Sequence, residues 1–221
     1  MTLNEMVKSS GEWMRGTGSE AEIVISSRVR LARNIRGFRF ITKMDASERA
    51  SCEQLIAEKI NDAKVTSPGM YMPLHKSDGL DRKFLVERHL ISKEHEDAQH
   101  PRGVAISDDE SVSIMVNEED HIRQQVLQSG FQLQEAWKLC SQIDDALEQR
   151  LDYSFSSQLG YLTACPTNVG TGMRVSVMVH LPAMKFTKEI ERVARAAKDM
   201  RLAIRGLYGE VPAAAQNLAR W

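Results

Sequence analysis

Cysteine is scarce and poorly placed for pairing. The 221-residue chain has three, Cys52, Cys140 and Cys165, far apart and in no Cys-x-x-Cys pair. Neither a disulfide framework nor a zinc site is indicated, and a reducing cytoplasm is the expected setting. Long apolar runs are missing too. Nothing approaches the length needed to span a bilayer, and the polar, mixed stretch from Met1 to Met14 lacks the apolar centre of a signal peptide. An excess of charge is also absent. The formal net charge is -1, so no global field recruits nucleic acid or an anionic membrane, and neither is an expected partner. Any bound anion must be held by local clusters of arginine. There is no internal repeat and no low-complexity tract.

What is present is ordinary for a soluble globular protein, with 42% apolar and 27% charged residues. The length suits one large domain or two small ones and suffices for a core. Residues 22–31 read as a strand with Ile23, Ile25, Val29 and Leu31 on one face. Residues 47–64 read as a helix with Cys52, Leu55, Ile56 and Ala63 on one stripe. Pro68, Gly69, Pro73 and Gly79 make 66–81 loop-rich. Strands are expected near 83–87, 103–107 and 111–117, and a helix at 131–151. In a strand at 173–181, Val175, Val177 and Val179 alternate with Arg174, Ser176, Met178 and His180. A helix at 188–200 follows Thr187 as its cap and buries Ile190, Val193, Ala194 and Ala197. A last strand is expected at 202–208. Without a regular βα alternation, the class is α+β, a mainly antiparallel sheet flanked by helices.

Four stretches carry chemistry. In Ser26-Ser27-Arg28-Val29-Arg30, a period of two puts Arg28 and Arg30 on one side of the strand. Neighbouring guanidinium groups repel unless an anion lies between them, and their planar forks match phosphate oxygens. The plainer alternative is a solvated strand face. Asn117-Glu118-Glu119-Asp120-His121-Ile122-Arg123 follows a strand and reads as a strand-to-helix junction. Its plainer alternative is a helix N-terminal charge pattern with a Glu119–Arg123 pair. Cys165 to Arg174 forms an irregular Pro/Asn/Gly loop feeding a strand, with Arg174 opposite the valines, and a thiol beside guanidinium groups favours the thiolate. A structural cysteine before a tight turn is the alternative. Arg205-Gly206-Leu207-Tyr208-Gly209-Glu210 closes the series, or is a strand-end salt bridge.

Taken in order, SSRVRLARN, VNEEDHIR, CPTNVGTGMRVSV and IRGLYGE resemble the ATP:guanido phosphotransferase (phosphagen kinase) superfamily over roughly residues 22–210. The resemblance is strongest to its bacterial protein-arginine kinase branch. It implies a phosphagen-kinase (glutamine-synthetase-like) catalytic domain over 1–221, with ATP and Mg2+ as cofactors. It implies that Arg28, Arg30, Arg123, Arg174 and Arg205 hold the ATP phosphates and that His89 touches the nucleotide. Glu119 is then the base and grips the acceptor guanidinium together with Glu210, and Cys165 lies near the acceptor. The wider nucleotide contacts implied are Ser26, Ser27, Val29, Val175, Ser176, Val177, Met178, Gly206, Leu207, Tyr208 and Gly209. No metal ligand from the protein is expected.

The implied reaction is transfer of the ATP γ-phosphoryl group to arginine residues of proteins, with an activator protein and a Clp-type protease as further partners in a stress response. Arg28 arrives early in the chain, with no room for the helical domain that precedes this strand in metabolite-using relatives, which favours a protein acceptor. The helical dimerisation and phosphoarginine-reading domain that follows in the protein-arginine kinases has no match here. Val211, Pro212 and Ala213 also depart from the family pattern after Glu210. A kinase of free arginine or another guanidino metabolite, and a non-catalytic nucleotide or phosphoarginine binder, are the alternatives.

Overall fold

A computed structural model describes residues 3–97, 99–187 and 189–206. Along the chain lie α1 (Leu3–Met6), β1 (Val24–Arg33), α2 (Ala46–Ala63), β2 (Gly69–Pro73), α3 (Gly79–Glu87) and α4 (Lys93–Glu96). Next come β3 (Gly103–Ser107), β4 (Val112–Val116), β5 (Ile122–Ser129) and α5 (Leu133–Glu148). The last elements are β6 (Phe155–Ser156), β7 (Gly160–Tyr161), β8 (Met173–Val179), α6 (Pro182–Phe186) and α7 (Ile190–Asp199). Two compact units are formed, Met1–Val177 and Met178–Trp221.

The expected α+β class is what forms. A six-stranded sheet has the order β2-β3-β4-β5-β1-β8, and the pairings β2–β3, β3–β4, β4–β5 and β1–β5 are antiparallel. Alternation on its strands covers both faces. Val29, Leu31, Ile114, Val116, Ile122 and Val126 pack against Cys52, Ile56 and Ile60 of α2 and Ala136, Cys140, Ile143 and Leu147 of α5. Val104, Ile106 and Met115 point the other way, onto Leu85, Val86, Leu90 and Ile91. Each such aliphatic side chain removed from water contributes about 1.5–3 kcal/mol. Asp45 starts α2 by accepting the Glu48 N–H at 2.9 Å.

Several expected elements change. Residues 83–87 lie in α3 rather than a strand, because Asp78 caps the start and Leu85 and Val86 bury together one helical face. The loop-rich 66–81 contains β2. The expected junction at 117–121 joins two antiparallel strands, and β5 replaces a helix start. Gln124 and Gln125 hide that strand in the sequence, yet both are buried, with their amides donating to the Cys140 carbonyl at 3.0 Å and the His89 carbonyl at 2.7 Å. In the second unit, Thr187 closes α6 by donating to the Ala183 carbonyl at 3.0 Å, and α7 begins after Glu189 without a side-chain cap. Residues 202–206 form no strand, and 207–208 lie outside the described residues. The valine face of β8 is open: Val175 and Val179 are 45% and 47% exposed.

Candidate active site

Strand register decides which side chains meet. Arg123 on β5 lies opposite Ala32 on β1, so it shares a face with the even-numbered Arg28 and Arg30. Arg174 joins them from β8, next to β1. The Arg28 Nε donates to the Ser176 hydroxyl at 3.3 Å, which keeps the neighbouring strands in register on this side. Burial, then the charges of Arg123 and Arg174, bring Arg28 down to about 10. Burial, then Arg28, Arg123 and Arg174, bring Arg30 down to about 8. The buried Arg30 Nε has no hydrogen-bond partner. Among the described residues, the one carboxylate ion-paired with any of these four arginines is Glu118, on Arg123 at 2.5 Å. Positive charge in excess of its partners, on three half-buried guanidinium groups and the exposed Arg174, is a site for a multiply charged anion.

The three consecutive acids take three different roles. The turn closes through Asn117 N–H to the His121 carbonyl at 2.9 Å and Glu118 N–H to the Asp120 carbonyl at 3.1 Å. Glu118 is buried and accepts from Arg123 at 2.5 Å, from the Ser92 hydroxyl at 2.7 Å and from the Glu119 N–H at 2.9 Å. Burial opposes its charge, but Arg123 and these donors outweigh it and hold the carboxyl at about 2. Asp120 is buried and accepts from Asn34 at 2.6 Å and from the Ala164 N–H at 2.7 Å. Glu119 alone is exposed. Burial, then Asp120 and Glu118, raise its pKa above the ordinary value, which makes it a better base. The Glu119–Arg123 pair of the plainer alternative is therefore replaced by Glu118–Arg123.

Asp120 also ties this turn to the loop bearing Cys165, since its Ala164 donor is the preceding residue. In that loop the Cys165 sulfur lies 3.0 Å from the Thr167 hydroxyl. Its far end is fastened by Arg33, which donates to the Ala32 and Thr171 carbonyls, both at 2.9 Å, and pairs with Asp144 at 2.6 Å. The Arg33 guanidinium stacks 3.6 Å from the Tyr161 ring centre. Gly172 sits at φ 64°, where a Cβ would fall 2.6 Å from the Ala32 carbonyl oxygen, so only glycine fits.

The remaining expected residues fall in several places. His89, at φ 57°, is close enough to Arg28 that burial, then that charge, lower its pKa. Ser27 donates to the Gly130 carbonyl at 2.8 Å and accepts from the Gln132 N–H at 3.0 Å. Ser26 is buried, and Val29 belongs to the core on the opposite face. Val175 and Val177 lie on β8 beside Arg174 and Ser176. Met178, Arg205 and Gly206 belong to the second unit. Leu207, Tyr208, Gly209 and Glu210 lie outside the described residues. Sequence reasoning missed the work of Asn34, Ser92, Glu118 and Asp120. The run of three acids was the available signal, but alternation could not say which would be buried. Among the described residues no three His, Cys, Asp or Glu side chains come together to hold a metal, and no helix is long and apolar enough to cross a membrane.

A family model described as "ATP:guanido phosphotransferase, C-terminal catalytic domain" matches residues 51–220. A protein-arginine kinase of Symbiobacterium thermophilum is 48% identical over 99% of this chain and 63% of its own length. One from Bacillus subtilis is 42% identical over 99% of this chain and 61% of its own length. The chain thus spans about three fifths of these curated relatives. Among solved structures, the duplicated taurocyamine kinase of Schistosoma mansoni with bound transition-state-analogue components has a TM-score of 0.78 at 31% identity, over 86% of this chain and 28% of that one. Lombricine kinase has a TM-score of 0.75 at 26% identity, over 93% of this chain and 61% of that one. With that family model covering most of the chain and relatives of that family sharing its fold, the chain belongs to the ATP:guanido phosphotransferase family.

Proposed function

We propose that this chain acts as a catalytic domain that transfers the γ-phosphoryl group of ATP to the guanidino group of arginine side chains in proteins. The observation that carries this reading is the convergence of Arg28, Arg30, Arg123 and Arg174 on one sheet face, with the basic carboxylate of Glu119 four residues before Arg123. The names borne by the relatives at 48% and 42% identity support the protein acceptor.

Phosphoryl transfer asks a protein for positioning and charge stabilisation more than for covalent chemistry. The four guanidinium groups hold the polyphosphate and offset the charge developing on the transferred group. A protonated acceptor guanidinium, with a pKa above about 12, is a poor nucleophile. The Glu119 carboxylate takes a proton from the acceptor nitrogen as the N–P bond forms and the bond from the γ-phosphorus to its bridging oxygen breaks, leaving ADP and phosphoarginine. Glu210 supplies the second carboxylate for the acceptor, Cys165 borders it, and Arg205 adds a further phosphate contact. Magnesium enters with the nucleotide as part of the substrate, which suits a hard cation bound largely through phosphates. The setting proposed is the cytoplasm, with an activator protein and a Clp-type protease using the modification in a stress response.

Mass spectrometry at neutral pH after incubation with ATP, magnesium and an arginine-rich protein tests the reading. Phosphoarginine that disappears in Glu119→Ala is the expected result. Phosphate confined to Ser, Thr or Tyr, or turnover only with free arginine, would overturn it.

A further inference from the structure

The end of β1 gathers segments that the sequence keeps apart. Asn34, 2% exposed, follows that strand, and both ends of its side-chain amide are engaged. Its Nδ2 donates to Asp120 Oδ1 at 2.6 Å and to the Leu162 carbonyl at 3.0 Å, and its Oδ1 accepts the His121 N–H at 2.9 Å. Its own carbonyl accepts the Ser154 N–H at 2.7 Å. Asp120, also 2% exposed, has a second donor on the same oxygen, the Ala164 N–H at 2.7 Å. The far end of the 162–172 loop returns to the same strand, where the Ala32 N–H donates to the Gly172 carbonyl at 2.9 Å and Arg33 donates to that of Thr171. A loop fastened at both ends, one of them through a buried carboxylate, cannot shift without carrying the acidic turn along or breaking charge-assisted hydrogen bonds away from water.

We propose that Asn34 and Asp120 are positioning residues for the acceptor: together they lock the 117–121 turn to the 162–172 loop, so that Glu119 and Cys165 keep one spacing. Asp120 and Ala164, hydrogen-bonded to each other, are the immediate chain neighbours of Glu119 and Cys165. The lock stands on hydrogen-bond geometry alone; its bearing on phosphoryl transfer rests on the role proposed above for Glu119. That side chain is exposed, so the backbone of the turn sets where its carboxylate can reach, and Asp120 sets where the turn lies. A buried network of satisfied polar groups favours a single arrangement, which an apolar contact of the same size would not impose.

Amide hydrogen exchange followed by NMR, together with steady-state kinetics on an arginine-rich protein, tests the inference. In Asn34→Ser, whose hydroxyl is too short to bridge Asp120 and Leu162, the Ala164 amide should exchange about tenfold faster, although Asn34 does not bond it, while amides of β3 and β4 keep the parent's rates. The same variant and Asp120→Ala should lower kcat about ten- to a hundredfold, with KM for ATP within about twofold. Asn34→Ser also keeps the test open if the alanine variant folds poorly. Asp120→Asn, which keeps an oxygen for both donors, should recover most of the loss; a role in stability alone would lower the melting temperature without this pattern in kcat. Parental Ala164 exchange in Asn34→Ser, or parental kcat in both Asn34→Ser and Asp120→Ala, would overturn the inference, and a loss of turnover in Glu119→Gln would then leave the role of Glu119 standing. Full turnover in Glu119→Gln would remove that role, and this inference with it.

Discussion

Arg30 and Arg33 sit three residues apart on β1 and are both largely withheld from water, yet their electrostatic surroundings are opposite. Arg33 points to the α5 side, where Asp144, two carbonyls and the Tyr161 ring receive its charge. Arg30 points to the other side, where the like charges of Arg28, Arg123 and Arg174 outweigh that of Glu118. One arginine has its charge paired within the fold and secures a loop. The other has no carboxylate paired with it among the described residues, and its side of the sheet is left incomplete, as a site waiting for an anion would be. Burial alone does not distinguish a structural charge from a binding one; the sign of the neighbours does.

The largest effect should come from the residue that acts beside the incomplete face. Glu119→Gln should lower kcat by about 10²–10⁴ without lowering the melting temperature; unaltered turnover would remove the base assigned here. Next is Arg33→Met, expected to cost about 3–5 kcal/mol of stability, because Asp144 is left charged and buried. Denaturant unfolding measures it, and a loss under about 1 kcal/mol would mean that Arg33 is not what fastens the loop. Arg30→Gln should do the reverse: about tenfold weaker ADP binding, with a melting temperature equal to or above that of the parent, since a like-charge contact is relieved. A clear fall in melting temperature would erase the contrast.

The smallest effects are in pH. Glu119 has a raised pKa, so kcat/KM should be full above that value and fall as pH drops through it, at a pH above the ordinary carboxylate range near about 4.3. That acid limb should vanish with the glutamine variant. Glu118 is shifted the other way, to about 2. Its stabilising charge is complete above the unfolded value near about 4.3 and is lost as pH falls toward the folded one. The stability gap between the parent and Glu118→Gln should therefore hold steady above about pH 5 and close progressively below it. A gap unaffected by acid would mean that the Arg123 pairing adds nothing.

Legibility in the sequence followed the range of the interactions involved. Most of β1, strands β3, β4 and β8, and helices α2, α5 and α7 came from local period. Residues 83–87 misled because a short apolar run with a valine fits a strand or a helix, and only burial of Leu85 and Val86 beneath the sheet chose the helix. Strand β5 stayed hidden because its buried glutamines look solvent-facing until the carbonyls of Cys140 and His89 are brought to them. The role proposed for Glu119 came from the family motif, while its isolation from Glu118 and Asp120 needed the partners of those two acids to be seen.

The alternation along β1 fixed by itself that Arg28 and Arg30 would share a side and that Val29 and Leu31 would take the other, because strand geometry is set by the backbone at every residue. The order of the four motifs likewise carried the family. Tertiary structure alone decided which charges would be neutralised. Pairing and loss of water depend on what packs opposite: Asp144 for Arg33, Glu118 for Arg123, and three other guanidinium groups for Arg30. Those neighbours come from distant segments of the chain, and no local period encodes them.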